Sequence, residues 1–151
     1  MTGVQTCALP IFVDTHVSDG ADYQYIMTLI STQHDKLGGP AGAYIKSIMT
    51  PALFKMMRDS GFQMAPYVNS KKYDAPPDSG IYGFLETPRF ASGYAALFGT
   101  LSFVTETHML KPFSIRTDAT EQILADFIRF SSENSQTILK VRKEKIGRAH
   151  V

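Results

Sequence analysis

The chain has 151 residues, 44% of them hydrophobic, which is the length and apolar content of one globular domain. A net charge of +1 provides no broad basic field, which argues against nucleic acid, and no apolar run approaches the ~20 residues that span a bilayer. The single cysteine, Cys7, excludes an internal disulfide and any multi-cysteine zinc site.

Both ends carry unusual text. "TGVQTCALPI" near the start and "IGRAHV" at the finish resemble translated sequencing-library adapter, in forward and reverse complement. On that reading residues 1–11 and 145–151 are adapter-derived, and residues 12–144 are part of a longer protein. Without Lys145 and Arg148 the balance is 13 basic to 14 acidic residues, a net charge of −1. The N-terminus also lacks the basic region that opens a secretory signal.

"IFVDTHV" (11–17) is rich in β-branched and aromatic residues and predicts a strand, which breaks at once into Ser-Asp-Gly. Residues 23–32, "YQYIMTLIST", predict a second strand, although the run also fits a short helix. "KLGGP" predicts a loop. From Ala41 to Ser60 the apolar residues Tyr44, Ile45, Ile48, Met49, Leu53, Phe54, Met56 and Met57 recur at helical spacing. Pro51 lies within that run, so one helix is expected to end near Met49 and another to start there. Gly61 suits the position just past a helix end.

"FQMAPYV" (62–68) predicts a short strand, "NSKKYDAPPDSG" a long polar loop, and "IYGFLE" a short extended piece. "PRFASGYAALFG" (88–99) opens on proline and closes on glycine, the order of a helix. "LSFVTETHM" (101–109) alternates as a strand. Residues 117–144 predict the clearest helix, capped by Thr117 or Asp118, with Glu121 in capping-box position to Asp118. Its apolar stripe is Ile123, Leu124, Phe127, Ile128 and Phe130. Alternating strands and helices predict an α/β fold: a mixed, mostly parallel sheet with helices on its faces.

Two strands share a pattern in which ionisable residues precede a break. Asp14 and His16 are two apart and face one way; Val104, Glu106 and His108 share a face of the other strand. Ligands of open α/β sheets bind beyond the carboxyl ends of the strands. A histidine and a glutamate brought to one such rim suit metal-assisted hydrolysis, imidazole binding zinc and a carboxylate taking a proton from water. The same residues also fit plainer roles: His16 as a packed structural histidine, Glu106 as a salt-bridged rim carboxylate, His108 as a supporting or surface group. His34 lies in polar "TQHDK" and reads as surface. His150 falls in the adapter-like tail.

The segments "VDTHVSDGADYQY", "MAPYVN" and "PRFASGYAALFGTLSFVTETHMLKPF" together resemble the zinc carboxypeptidase family, the carboxypeptidase A-like metallopeptidases. The likeness covers about residues 13–144 and corresponds to the second half of that family's catalytic domain, so it implies a truncated carboxypeptidase-like fold. It implies that His16 is the third zinc ligand and that Glu106 is the general base. Zinc-bound water, its pKa lowered to about 7, would attack a peptide carbonyl. Glu106 would pass the proton to the leaving amine. The family's substrate-closing tyrosine corresponds to Tyr94 or Tyr82, though Tyr94 reads first as core packing. Arg89 either meets a substrate carboxylate or is a surface arginine at a helix start. The resemblance alone implies export to the periplasm or beyond the cell.

One departure is large. The first two zinc ligands of the family come from H-x-x-E, and none of the four histidines here has glutamate three positions later. A catalytic zinc usually takes three protein ligands plus water. The expectation is therefore a peptidase parent and an inactive 151-residue chain that lacks the N-terminal half of its own domain. An unpaired sheet edge and exposed apolar surface should make it marginally stable. The alternative is a non-catalytic member of the same fold that binds peptide or glycan. Other chemistries lack their motifs: there is no G-x-S-x-G, no P-loop and no G-x-G-x-x-G, and the aspartates of "DTHVSDGAD" do not match an EF-hand. Met49, Met56, Met57 and Met64 read as core filler.

Overall fold

A computed structural model describes residues 9–18, 23–72 and 77–148. Cys7, most of the first adapter-like segment, the break after Ser18, part of the loop 69–80, and His150 lie outside the described residues.

Strand β1 spans Ile11–Ser18 and β2 spans Met27–Ser31. Helix α1 is the single turn His34–Leu37, followed by α2 at Gly39–Tyr44, a wide π turn at Ile45–Met49 and α3 at Thr50–Asp59. The short strands β3 (Met64–Pro66), β4 (Val68–Ser70) and β5 (Ile81–Gly83) come next. Helix α4 is Ala91–Leu97, β6 is Leu101–His108, α5 is Phe113–Glu133 and α6 is Ser135–Arg148.

The fold is mixed α/β. Four strands form one sheet in the order β1-β6-β2-β3, and β4 and β5 form a separate hairpin. β1 runs parallel to β6, β2 runs parallel to β3, and β2 meets β6 antiparallel. The pleat sorts the residues. Val13, Leu101, Phe103, Leu29, Met27 and Met64 turn to one face, where α2, the π turn, α3, α5 and α6 close a single core over them. Phe103 stacks on Phe127 of α5 at a ring separation of 5.0 Å. Phe12, Asp14, His16, Ser102, Val104, Glu106, Thr28 and Ile30 turn to the other face. Helix α4 packs across that second face at the Ser102 end, where the Ser102 hydroxyl donates to the Ser92 carbonyl at 2.9 Å. Thr32 hydrogen-bonds the same serine side chain at 2.6 Å.

Several expectations are corrected. Pro51 does not separate two helices. The Thr50 N–H donates to the Ile45 carbonyl, five residues back, and the chain stays helical from Gly39 to Asp59. A proline ring in a regular α-turn clashes with the carbonyl four residues earlier; a widened turn makes room for it. "KLGGP" is not wholly a loop, since its two ends belong to α1 and α2, with Gly38 between them at φ 67° and Gly39 opening α2 at φ 52°. Gly61 sits past α3 at φ 86°, as expected.

The long C-terminal helix starts earlier than Thr117 and is broken once. Pro112 is its cap residue, and the Thr117 hydroxyl donates inward to the Ser114 carbonyl at 2.6 Å. Asn134 ends α5, its side-chain amide donating to the Phe130 carbonyl at 2.9 Å. Short polar residues in "SSENS" offer such local bonds in competition with the helix ladder. Ala119, Ile123, Phe127 and Phe130 are the core face of α5, whereas Ile128 is 72% exposed and Leu124 also reaches solvent. Leu97, Leu110 and Phe113 are further exposed apolar side chains.

Candidate functional site

His16 and Glu106 are register partners on the parallel pair β1 and β6. Aligned residues of neighbouring strands present their side chains to the same face. Both therefore stand on the face turned away from the core, near the carboxyl ends of their strands. Asp14, two residues before His16, shares that face, and its carboxylate Oδ2 lies 2.9 Å from His16 Nε2. A neutral imidazole donating through Nε2 carries its lone pair on Nδ1. A carboxylate that fixes a ring in this way is the usual companion of a metal-binding histidine. Both side chains are open to water, at 51% exposed for His16 and 32% for Asp14.

Glu106 is half-buried in the middle of the sheet, with Thr28 of β2 as its antiparallel neighbour. The Thr28 hydroxyl donates to the Glu106 carbonyl at 3.4 Å. Tyr23, just before β2, completes the surroundings. Its hydroxyl donates to the Val68 carbonyl at 2.6 Å and accepts from the Val68 N–H at 3.0 Å, clamping the β4–β5 hairpin to this end of the sheet. Burial pushes the Tyr23 phenol above its ordinary range, the Val68 bond opposes this, and the charge of Glu106 adds to the rise. The carboxylate of Glu106 thus acts on the phenol across the rim. From Tyr23 an aromatic row runs through Tyr67 (6.2 Å), Phe84 (5.7 Å) and Phe90 (5.0 Å) to the start of α4.

The other predicted residues are placed differently. His108, opposite Ser18, is 3% exposed, and its Nδ1 accepts the Leu110 N–H at 3.2 Å, so it is a buried histidine rather than a surface one. Tyr94 is 55% exposed and rests its ring edge on Phe98, so it is not core packing. Arg89 is exposed in the turn before α4. That helix meets β6 at Ser102, four residues or about 13 Å along the strand from Glu106. Tyr82 is exposed on β5. His34 is half-buried beside Asp35. Tyr23 and Thr28 were not singled out from the sequence. Tyr23 sits in the quoted "DYQY", but its partner Val68 lies 45 residues away.

The donors present do not by themselves make a zinc centre. Among the described residues no three His, Cys, Asp or Glu side chains converge, and a catalytic zinc takes three protein ligands plus water. On this face His16, its ring held by Asp14, can contribute one ligand. No described helix is long and apolar enough to cross a membrane. Comparison with family models, with curated proteins and with solved structures returns no match to any of them.

Proposed function

We propose that this chain is one wall of a hydrolytic site, the C-terminal half of a zinc carboxypeptidase-like domain acting on peptide bonds. The observation that supports this reading is the alignment of His16 with Glu106 on one face at the ends of parallel strands. Glu106 is the carboxylate that accepts and returns a proton. Asp14 holds the His16 ring, Thr28 ties the Glu106 backbone, and Tyr23 holds the hairpin whose aromatic row borders the site. The remaining ligands belong to the missing N-terminal half, so the 151-residue chain is expected to be inactive. Restoring the upstream reading frame tests this. A product that contains H-x-x-E and cleaves a peptide substrate, with Glu106→Gln reducing kcat by at least ~100-fold, bears the reading out. A restored protein with no such motif sinks it.

The aromatic row favours a second reading, a non-catalytic member that binds peptide or glycan on Tyr67, Phe84 and Phe90. In that case the upstream segment lacks H-x-x-E and Glu106→Gln leaves binding intact.

A further inference from the structure

A depression opens at the same end of the sheet, between the exit of β6 and the entrances of β2 and β3. It encloses about 570 Å³, and a smaller hollow of about 210 Å³ beside it shares Tyr25, Arg58 and Gln63. A volume of several hundred Å³ is the usual size of a small-molecule site. Its chemistry is one-sided. Arg58 and Lys111 line it with the neutral donors Gln63 and Ser114, and no acidic residue does so among the described residues. The nearest acid to Arg58 in sequence, Asp59, is held by the ammonium of Lys55, with the Arg58 charge a smaller influence on its carboxyl. Arg58 itself makes no ion pair among the described residues. Tyr25 and Phe62 give the cleft an apolar side.

We propose that this cleft binds the oxyanion end of a small ligand, a carboxylate or a phosphate, with Arg58 and Lys111 as its cationic partners and Tyr25 and Phe62 against its apolar body. A guanidinium presents a planar fork of donors that matches either anion with two parallel bonds. A recess lined by one sign of charge also concentrates counter-charged molecules. The inference goes beyond the hydrolase reading, because holding an oxyanion here requires neither His16 nor Glu106.

Calorimetric titration of the full chain tests it with two probes, pyrophosphate and an N-acetylated dipeptide with a free carboxylate, each beside a control (sodium chloride, and the dipeptide amide). The expected result is one saturable site for at least one probe and none for the controls. Arg58→Gln should weaken it at least tenfold, and Lys111→Gln severalfold. Lys143→Gln, an exposed cation on α6, should leave it unchanged. Binding of pyrophosphate alone identifies a phosphate ligand, and binding of the dipeptide acid alone identifies a carboxylate. No saturable binding of either probe, or binding that survives both Arg58→Gln and Lys111→Gln, overturns the proposal. So does binding lost equally in Lys143→Gln.

Discussion

On one face of the four-stranded sheet Met27, Leu29, Leu101 and Phe103 are at most 4% exposed. On the other face of the same strands stand Asp14, His16, Thr28, Ser102 and Glu106. The first face is satisfied by apolar burial, which is non-directional and tolerates only changes of volume poorly. The second holds polar groups that need named partners, buried at one end and reached by water at the other. Around Ser102 each hydroxyl is paired with Thr32 or Ser92 under α4. Around His16 and Glu106 the side chains reach water. Difference along a single face is what marks a site here: Ser102 is sealed under α4, whereas Glu106 and its register partner His16 reach water.

The largest break in this contrast comes from the sealed side. Phe103→Ala removes a fully buried ring that stacks on Phe127 and should cost about 3–5 kcal/mol in denaturant unfolding. Ser102→Ala should cost about 1–3 kcal/mol, since the buried Ser92 carbonyl loses its donor, while Thr32 keeps its bonds to the Ser102 backbone. A cost near zero would mean that the polar network under α4 is incidental.

Tyr23→Phe tests the open end. Loss of both bonds to Val68 should cost about 1 kcal/mol and speed hydrogen exchange at the Val68 amide. It should also change the alkaline limb. The folded phenol of Tyr23 titrates above its usual value, mainly through burial, so the folded state holds that proton more tightly than the unfolded chain does. Stability from this group is fully present below the ordinary tyrosine pKa of about 10 and falls as pH rises through the higher folded value. Tyr44, raised by burial alone, contributes the same slope and is untouched by the substitution. The variant should therefore lose part of the alkaline fall and keep the rest. At the small end, Asp14→Asn should change stability by less than about 1 kcal/mol, because its pair with His16 is solvent-exposed.

Much of this architecture is legible in the residues. The β-branched and alternating runs locate β1 and β6 within a residue, and the apolar spacing locates α3 and the body of α5. Local pattern is a poor guide where long-range geometry decides. Nothing in "FVDTH" or "FVTETH" states their register, yet pairing across 90 residues is what aligns His16 with Glu106. The clamp of Tyr23 on Val68 is invisible for the same reason. Helix ends are hard to read from sequence where two local rules compete. Thr117 has the chemistry of a cap but spends its hydroxyl inside the helix, and Pro51 has the chemistry of a breaker but is absorbed by a wide turn. Tyr94 carries the apolar character of a core residue on a helix that covers only one end of the open face.

The proposed hydrolase reading is tested most directly by peptide hydrolysis in a protein extended by the upstream segment that the reading requires, compared between the parent residue and Glu106→Gln at equal folded concentration. The account predicts a fall in kcat of at least ~100-fold with the unfolding midpoint unchanged, since Glu106 is half-buried at an open rim. Undiminished turnover in the glutamine variant would contradict it.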